Sequence, residues 1–183
     1  IGQGEVSSTP LQLANFSAVI ANRGYYYKPH VVKERKGAPL DTLYTIRRDS
    51  RVDRAHFELT VEGMADAVTN GTCRRINMEP HLTVCGKTGT AQNPHGADHS
   101  LFIGFAPKDD PKVAIAVIVE NGGFGATNAV PIARLMLQKY LFGEILEQDK
   151  FLEQTLADRV ILPFIYKQNM DRELAASKLE GDN

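Results

Sequence analysis

Five residues, Pro107-Lys108-Asp109-Asp110-Pro111, separate an apolar run over residues 99–106 from a second run, 112–120, that is almost wholly valine, isoleucine and alanine. Both runs have the length and composition of strands. A link of that size with proline at each end is too short for the crossover that parallel strands need, so the two strands lie antiparallel and adjacent. A third run, residues 82–91, reaches them through Gln92-Asn93-Pro94-His95-Gly96-Ala97-Asp98, again a turn-forming stretch that makes an antiparallel neighbour. The last run has almost no polar alternation, which predicts a strand covered on both faces.

Such a sheet needs apolar cover, and helical patterns flank it on both sides. Thr9-Pro10-Leu11-Gln12 carries an N-cap, a proline suited to the first helical position and the glutamine of a capping box. Leu13, Phe16 and Ile20 then recur on one face until Asn22-Arg23-Gly24 supplies a left-handed stop. A second helix is predicted over residues 58–69, where Val61, Met64, Ala65 and Val68 follow helical spacing and Asn70-Gly71 ends the pattern. A third spans 128–142, with Pro131 in its first turn and Gly143 at its end. Residues 25–57 mix extended pieces such as Tyr25-Tyr26-Tyr27 with polar loop, and Ile1-Gly2-Gln3-Gly4 is too glycine-rich to be regular. The architecture expected is α+β, an antiparallel sheet with helices packed on it. It occupies residues 1–143. The remainder, 144–183, reads as a polar tail, partly helical or disordered, with apolar spots at Phe151, Leu152, Leu156, Val160 and Ile161 and a break at Pro163.

At 183 residues and 43% hydrophobic, the chain has material for one core of ordinary size. A formal charge of −1, without any basic run interleaved with aromatics, argues against a nucleic-acid partner. Cys73 and Cys85 make no metal-finger or C-x-x-C spacing and read as buried thiols. No run approaches the ~20 apolar residues of a membrane helix. Because the sequence opens at Ile1 without methionine or a signal segment, it is expected to be an internal piece of a longer protein.

The chemistry concentrates in Gly86-Lys87-Thr88-Gly89-Thr90, set inside a strand pattern. A phosphate-binding loop would need glycine where His81 stands and a helix starting at Lys87-Thr88, whereas Thr90-Ala91-Gln92-Asn93-Pro94 reads as strand and turn. The competing reading is a Lys-Thr-Gly strand beside an active site. Side chains two apart on a strand share a face, so Thr88 and Thr90 can donate hydroxyl bonds to one ligand carboxylate. Lys87 adds a positive charge, and Gly89 clears the approach to the backbone. The plain alternative is a threonine-rich strand with an exposed lysine. Elsewhere, His95, Asp98 and His99 offer a partial zinc site or simply a polar loop, with no metal expected. Asn121-Gly122-Gly123-Phe124-Gly125 lacks dinucleotide spacing and reads as the turn from strand to final helix. Tyr25-Tyr26-Tyr27 reads as packing or a partner surface.

Four ordered blocks set the strand motif in context: Ile1-Gly2-Gln3-Gly4 with Thr9-Pro10-Leu11-Gln12-Leu13-Ala14, then Cys85-Gly86-Lys87-Thr88-Gly89-Thr90-Ala91-Gln92, then Phe105-Ala106-Pro107, then Val119-Glu120-Asn121-Gly122-Gly123. In order and spacing they resemble the class B penicillin-binding proteins, most of all the elongation type, over residues 1–143. The resemblance implies part of the penicillin-binding transpeptidase fold shared with serine β-lactamases. It also implies a parent enzyme in the bacterial inner membrane that cross-links peptidoglycan stem peptides in the periplasm through a serine acyl-enzyme, without a cofactor. Lys87, Thr88, Gly89 and Thr90 would then bind the D-Ala-D-Ala end of a stem peptide or a β-lactam. Lys87 would support the nucleophile, Thr88 and Thr90 would hold the carboxylate, and the Thr90 backbone N–H would face the oxyanion. Other cell-wall synthesis proteins are possible partners.

The family also needs Ser-x-x-Lys and Ser-x-Asn. None of Ser7, Ser8, Ser17, Ser50, Ser100 and Ser177 has lysine three residues on or asparagine two residues on. The nucleophile is therefore expected upstream, and this chain alone is expected to be inactive, with apolar faces left for association. A β-lactamase or β-lactam sensor fragment, or a non-catalytic binding module of the same fold, are the alternatives.

Overall fold

A computed structural model describes residues 3–34 and 36–161. Ile1-Gly2, and the chain beyond residue 161 with its expected break at Pro163, lie outside the described residues.

The short link does what its length demands. Strand β4 (His99–Ala106) pairs antiparallel with β5 (Val113–Val119), with Ala106 opposite Val113 and Ser100 opposite Val119. Strand β3 (Cys85–Ala91) pairs antiparallel with β4, from Cys85 opposite Phe105 to Ala91 opposite His99, so the order is β3-β4-β5. β3 starts later than the apolar run suggests because a turn occupies the run's first residues, with Leu82 N–H donating to Glu79 O at 3.1 Å. Nor is β5 sealed on both faces. Ile115 and Val117 are buried on the face beneath α4, while Ala114, Ala116 and Ile118 on the opposite face are only half-buried.

Helix α1 (Pro10–Ala21) opens on the expected capping box, with Thr9 N–H donating to Gln12 Oε1 at 2.8 Å and Gln12 N–H to Thr9 Oγ1 at 3.3 Å. It closes with Gly24 N–H bonded to Val19 O at 2.9 Å, Arg23 and Gly24 both having positive φ. The buried face differs from the expected one. Ser17, Ile20 and Ala21 are buried, whereas Phe16 is 54% exposed. Ile20 is buried as expected, while small Ser17 and Ala21 take the rest of the contact and Phe16 turns outward. The Ser17 hydroxyl is buried with no hydrogen-bond partner among the described residues.

Between α1 and the sheet's first strand, β1 (Tyr25–Tyr26) pairs with β2 (Arg48–Asp49) around α2 (Thr42–Thr45). The Arg47 guanidinium lies 4.0 Å over the Tyr25 ring, so the tyrosines serve local packing. Helix α3 (Arg54–Thr69) begins before the expected start at residue 58, because the Asp53 carboxylate accepts from Ala55 N–H at 2.9 Å and starts the helix there. α4 is Ala129–Phe142, ending at Gly143 in the left-handed region as expected.

The pleat divides the core. On one face Phe102, Ile115 and Val117 meet α4 through Val130, Ala133 and Leu137. On the other, Cys85 and Phe105 meet Ile20 and Ala21 of α1 and Phe57, Val61 and Met64 of α3. Phe102 and Phe105 are fully buried. Truncation of either to alanine costs about 3–5 kcal/mol in such a setting.

The chain stays with the body after Gly143. A 3-10 turn (Glu147–Asp149) leads into α5 (Lys150–Ala157). Asp149 is buried against α4, where its carboxylate accepts from Arg134 Nε at 2.9 Å and Nη2 at 2.7 Å and also from Gln138. Gln138 in turn accepts from Leu146 N–H at 3.1 Å. Removing one partner of such a pair strands the other charge in a desolvated place. Asp149→Ala is therefore expected to lower unfolding stability of the full-length protein by about 3 kcal/mol in a denaturant titration. The exposed Asp158→Ala should stay within about 0.5 kcal/mol.

Candidate substrate-binding strand

Alternation along β3 sorts the motif into two faces. Gly86, Thr88 and Thr90 share a face with their partners Gly104, Phe102 and Ser100, and Cys85, Lys87, Gly89 and Ala91 point the other way. Gly86 is where the Phe102 ring packs: a Cβ there would sit 2.4 Å from Phe102 Cζ. Thr88 and Thr90 are half-buried and Lys87 is exposed.

Each threonine hydroxyl has one protein partner and capacity for another. Thr88 Oγ1 lies 2.7 Å from Thr72 Oγ1, and Thr90 Oγ1 accepts from Gly125 N–H at 3.4 Å, leaving its own proton to donate. Gly125 reaches that position because it has no side chain, since a Cβ would lie 2.5 Å from Leu101 O and 2.6 Å from Gly89 O.

The backbone shows which edge is open. The Thr88 carbonyl accepts from Lys87 Nζ at 2.9 Å, which marks Thr88 as a residue whose backbone groups face away from β4. In an antiparallel ladder, residues that turn their backbone groups outward alternate, so Thr90 N–H faces the same free edge. Lys87 leaves from the opposite face to the two hydroxyls, as the pleat requires, and its stem curls round so that the ammonium reaches the edge at Thr88 O. It forms no ion pair among the described residues. Hydroxyls, an outward N–H and an ammonium thus lie along one open edge, a set of donors suited to an anionic, peptide-like ligand.

Two loops frame this edge. Asn93 Nδ2 donates to Asn121 Oδ1 at 2.8 Å, His99 Nδ1 accepts from Asn121 N–H at 3.0 Å, and Gly123 N–H donates to Asp98 O at 2.7 Å, stitching the loop before β4 to the loop after β5. Asp98 Oδ1 and His99 Nδ1 are thus engaged by backbone N–H groups, and no group of three potential metal ligands occurs among the described residues. Buried Ser100 holds the second loop to α4, donating to Phe124 O and accepting from Ala129 N–H, both at 3.0 Å. Beside Thr72 lies a cavity of about 240 Å3 lined by Gly71, Thr72, Arg74, Arg75, Ala126 and Thr127.

Sequence reasoning located Lys87, Thr88, Gly89 and Thr90 but not Thr72, Gly125 or Ser100. Thr72 stands in a turn without a period, and Gly125 matters for what it lacks. Ser100 was legible only as a polar residue inside an apolar run.

Both cysteines are fully buried free thiols. Burial pushes the Cys85 thiol up to about 12, against the opposing pull of Lys108 and Arg23. Burial raises Cys73 as well, in part offset by hydrogen bonds from Thr72 and the Thr88 N–H. A folded-state value above the unfolded one favours the fold while the thiol stays protonated. The contribution is full below about pH 8.5 and is lost as pH rises toward the folded values. Native protein is expected to react with a thiol reagent far more slowly than urea-unfolded protein at pH 8, and to lose stability progressively above about pH 9.

The family model for the penicillin binding protein transpeptidase domain matches residues 1–138. Peptidoglycan D,D-transpeptidase MrdA of Haemophilus influenzae is 35% identical over 173 residues, covering 82% of this chain and 26% of that protein. MrdA of Acinetobacter baumannii is 38% identical over 151 residues, 70% of this chain and 22% of that protein. Among solved structures, Pseudomonas aeruginosa PBP2 in complex with WCK 5153 superposes with a TM-score of 0.69 at 34% identity, covering 82% of this chain and 34% of that one. The imipenem acyl-enzyme of Mycobacterium tuberculosis penicillin-binding protein A gives 0.64 at 34% identity, over 77% and 32%. This chain spans about a quarter of the length of the curated relatives it matches. The expected fold class, an antiparallel sheet carrying helices, is that of these neighbours. The chain belongs to the penicillin-binding protein transpeptidase family.

Proposed function

We propose that this chain is the substrate-gripping C-terminal part of a serine peptidoglycan D,D-transpeptidase, with the nucleophile supplied by sequence that precedes residue 1. The observation that carries the reading is the open edge of β3, where the Thr88 and Thr90 hydroxyls share one face and the outward Thr88 carbonyl implies, by alternation, an outward Thr90 N–H. Relatives of this length ratio are named D,D-transpeptidases, and one structural neighbour is a β-lactam acyl-enzyme.

In this reading the ligand lies along the free edge. Thr88 and Thr90 donate to the terminal carboxylate of a D-Ala-D-Ala stem peptide or to that of a β-lactam. The serine oxygen bonds to the carbonyl carbon of the penultimate residue, the C–N bond to the terminal D-Ala breaks, and the serine proton passes to the departing amine. Thr90 N–H stabilises the oxyanion formed on the way, a donor worth about 3 kcal/mol of barrier in comparable sites. An amine of a second stem peptide then bonds to the ester carbon, the C–O bond to serine breaks, and the amine's proton passes to the serine oxygen, which frees the hydroxyl. The Lys87 ammonium, held at the edge by Thr88 O, favours negative charge there and keeps the edge oriented.

The remaining features follow from the same reading. The parent is held in the bacterial inner membrane with this domain in the periplasm. None of the described helices is long and apolar enough to span a bilayer. Contacts with other cell-wall proteins are supported by a Helicobacter pylori neighbour solved as a complex of PBP2 with MreC.

Fluorescent penicillin should label the full-length protein stoichiometrically and leave this chain alone unlabelled. Thr88→Val with Thr90→Val, which keeps shape and backbone but deletes both donors, should slow acylation roughly 10- to 100-fold. A covalent adduct on this chain alone, or a double variant acylated at the unaltered rate, would falsify the proposal.

A further inference from the structure

The pleat sets Lys87 on the face away from the Thr88 and Thr90 hydroxyls, and only the end of its side chain returns to the edge. On the hydroxyl side the cations are Arg74 and Arg75. They line the cavity of about 240 Å3 together with Thr72 and Thr127, and no acidic residue lines it. Thr72 is the link to the strand, its hydroxyl 2.7 Å from that of Thr88. Neither guanidinium is hydrogen-bonded or ion-paired to the described residues, so both keep their donors for a ligand. A carboxylate in the cavity would meet planar donor groups matched to it and no opposing charge on the lining.

The walls are held in place. Arg134, itself fixed by Asp149, donates through Nη1 to Arg75 O at 3.0 Å and to Asn77 O. Cys73 N–H ties the start of the turn to Ala67 O at 3.0 Å. On the opposite wall, Arg159 Nη1 donates to Thr127 O at 3.4 Å and also bonds Asn128. The segment after Gly143 therefore braces the backbone on both sides of the cavity, which holds its shape while the Arg74 and Arg75 side chains stay without partners among the described residues.

We infer that Arg74 and Arg75, with the hydroxyls of Thr72 and Thr127, form an anion subsite for the carboxylate of the ligand gripped by Thr88 and Thr90. The inference rests on the transpeptidase reading and assigns the charge complement of the carboxylate to an arginine pair that lies outside the Lys-Thr-Gly strand.

The test uses full-length protein and benzylpenicillin, with the second-order acylation constant as readout. Arg74→Gln with Arg75→Gln should lower that constant roughly 10- to 100-fold at an unchanged melting temperature. Arg74→Lys with Arg75→Lys, which restores charge, should regain most of the loss. Added sulfate should slow the wild type and leave the glutamine variant unaffected. An unaltered constant in the glutamine variant overturns the subsite. So does a loss that lysine does not repair and that comes with a lowered melting temperature, since the pair then only shapes the turn. Wild-type protein that takes no label at all counts against the transpeptidase reading instead, which keeps the two failures apart.

Discussion

The antiparallel register of β3 on β4 is the constraint from which the site follows. With Thr88 opposite Phe102, the residues of even number from 86 to 90 share the face on which Phe102, Ile115 and Val117 are buried beneath α4. A slip of one residue would send both threonines to the face of α1 and bring Lys87 onto that of the buried phenylalanine. Gly86 guards against this, since only a residue without Cβ accepts the Phe102 ring where it lies. The same packing that closes the core thus decides which way the hydroxyls point, so stability and ligand recognition share a cause.

Much of this was legible in the sequence. The five-residue link required a hairpin, the capping box at Thr9 and Gln12 placed the first helix to the residue, and the alternation of β3 put Thr88 and Thr90 on one side. What escaped has physical reasons. Phe16 looked like core because large apolar residues usually are, but beside the expected Ile20 the helix is buried through Ser17 and Ala21, whose smallness no hydrophobic pattern announces. The start of α3 was set by Asp53, a polar cap that lies outside the apolar period. Two-residue strands and a four-residue helix, as in β1, β2 and α2, carry no periodicity at all.

The segment after Gly143 shows the same limit in a different form. It read as a polar tail because its attachment is ionic: Asp149 joins Arg134 and Gln138 in a buried cluster that no hydrophobic pattern announces. The family model stops at residue 138, inside α4, yet beyond it Asp149 fixes Arg134, which bonds Arg75 O, and Arg159 bonds Thr127 O. A buried ion pair contributes little net stability over an apolar substitute but fixes geometry tightly when its remaining donors are satisfied. That is the property a wall of a binding site requires.

The placement of Lys87 separates what a short motif states from what it does. Read as letters, lysine and threonine are neighbours and seem to act together. On a strand, neighbours are opposed, and the ammonium reaches the edge only by bonding Thr88 O, a group left outward by the same alternation that frees Thr90 N–H. The lysine and the two hydroxyls therefore approach the edge from different sides, and the Thr88 hydroxyl looks instead toward Thr72, in the turn that carries Arg74 and Arg75.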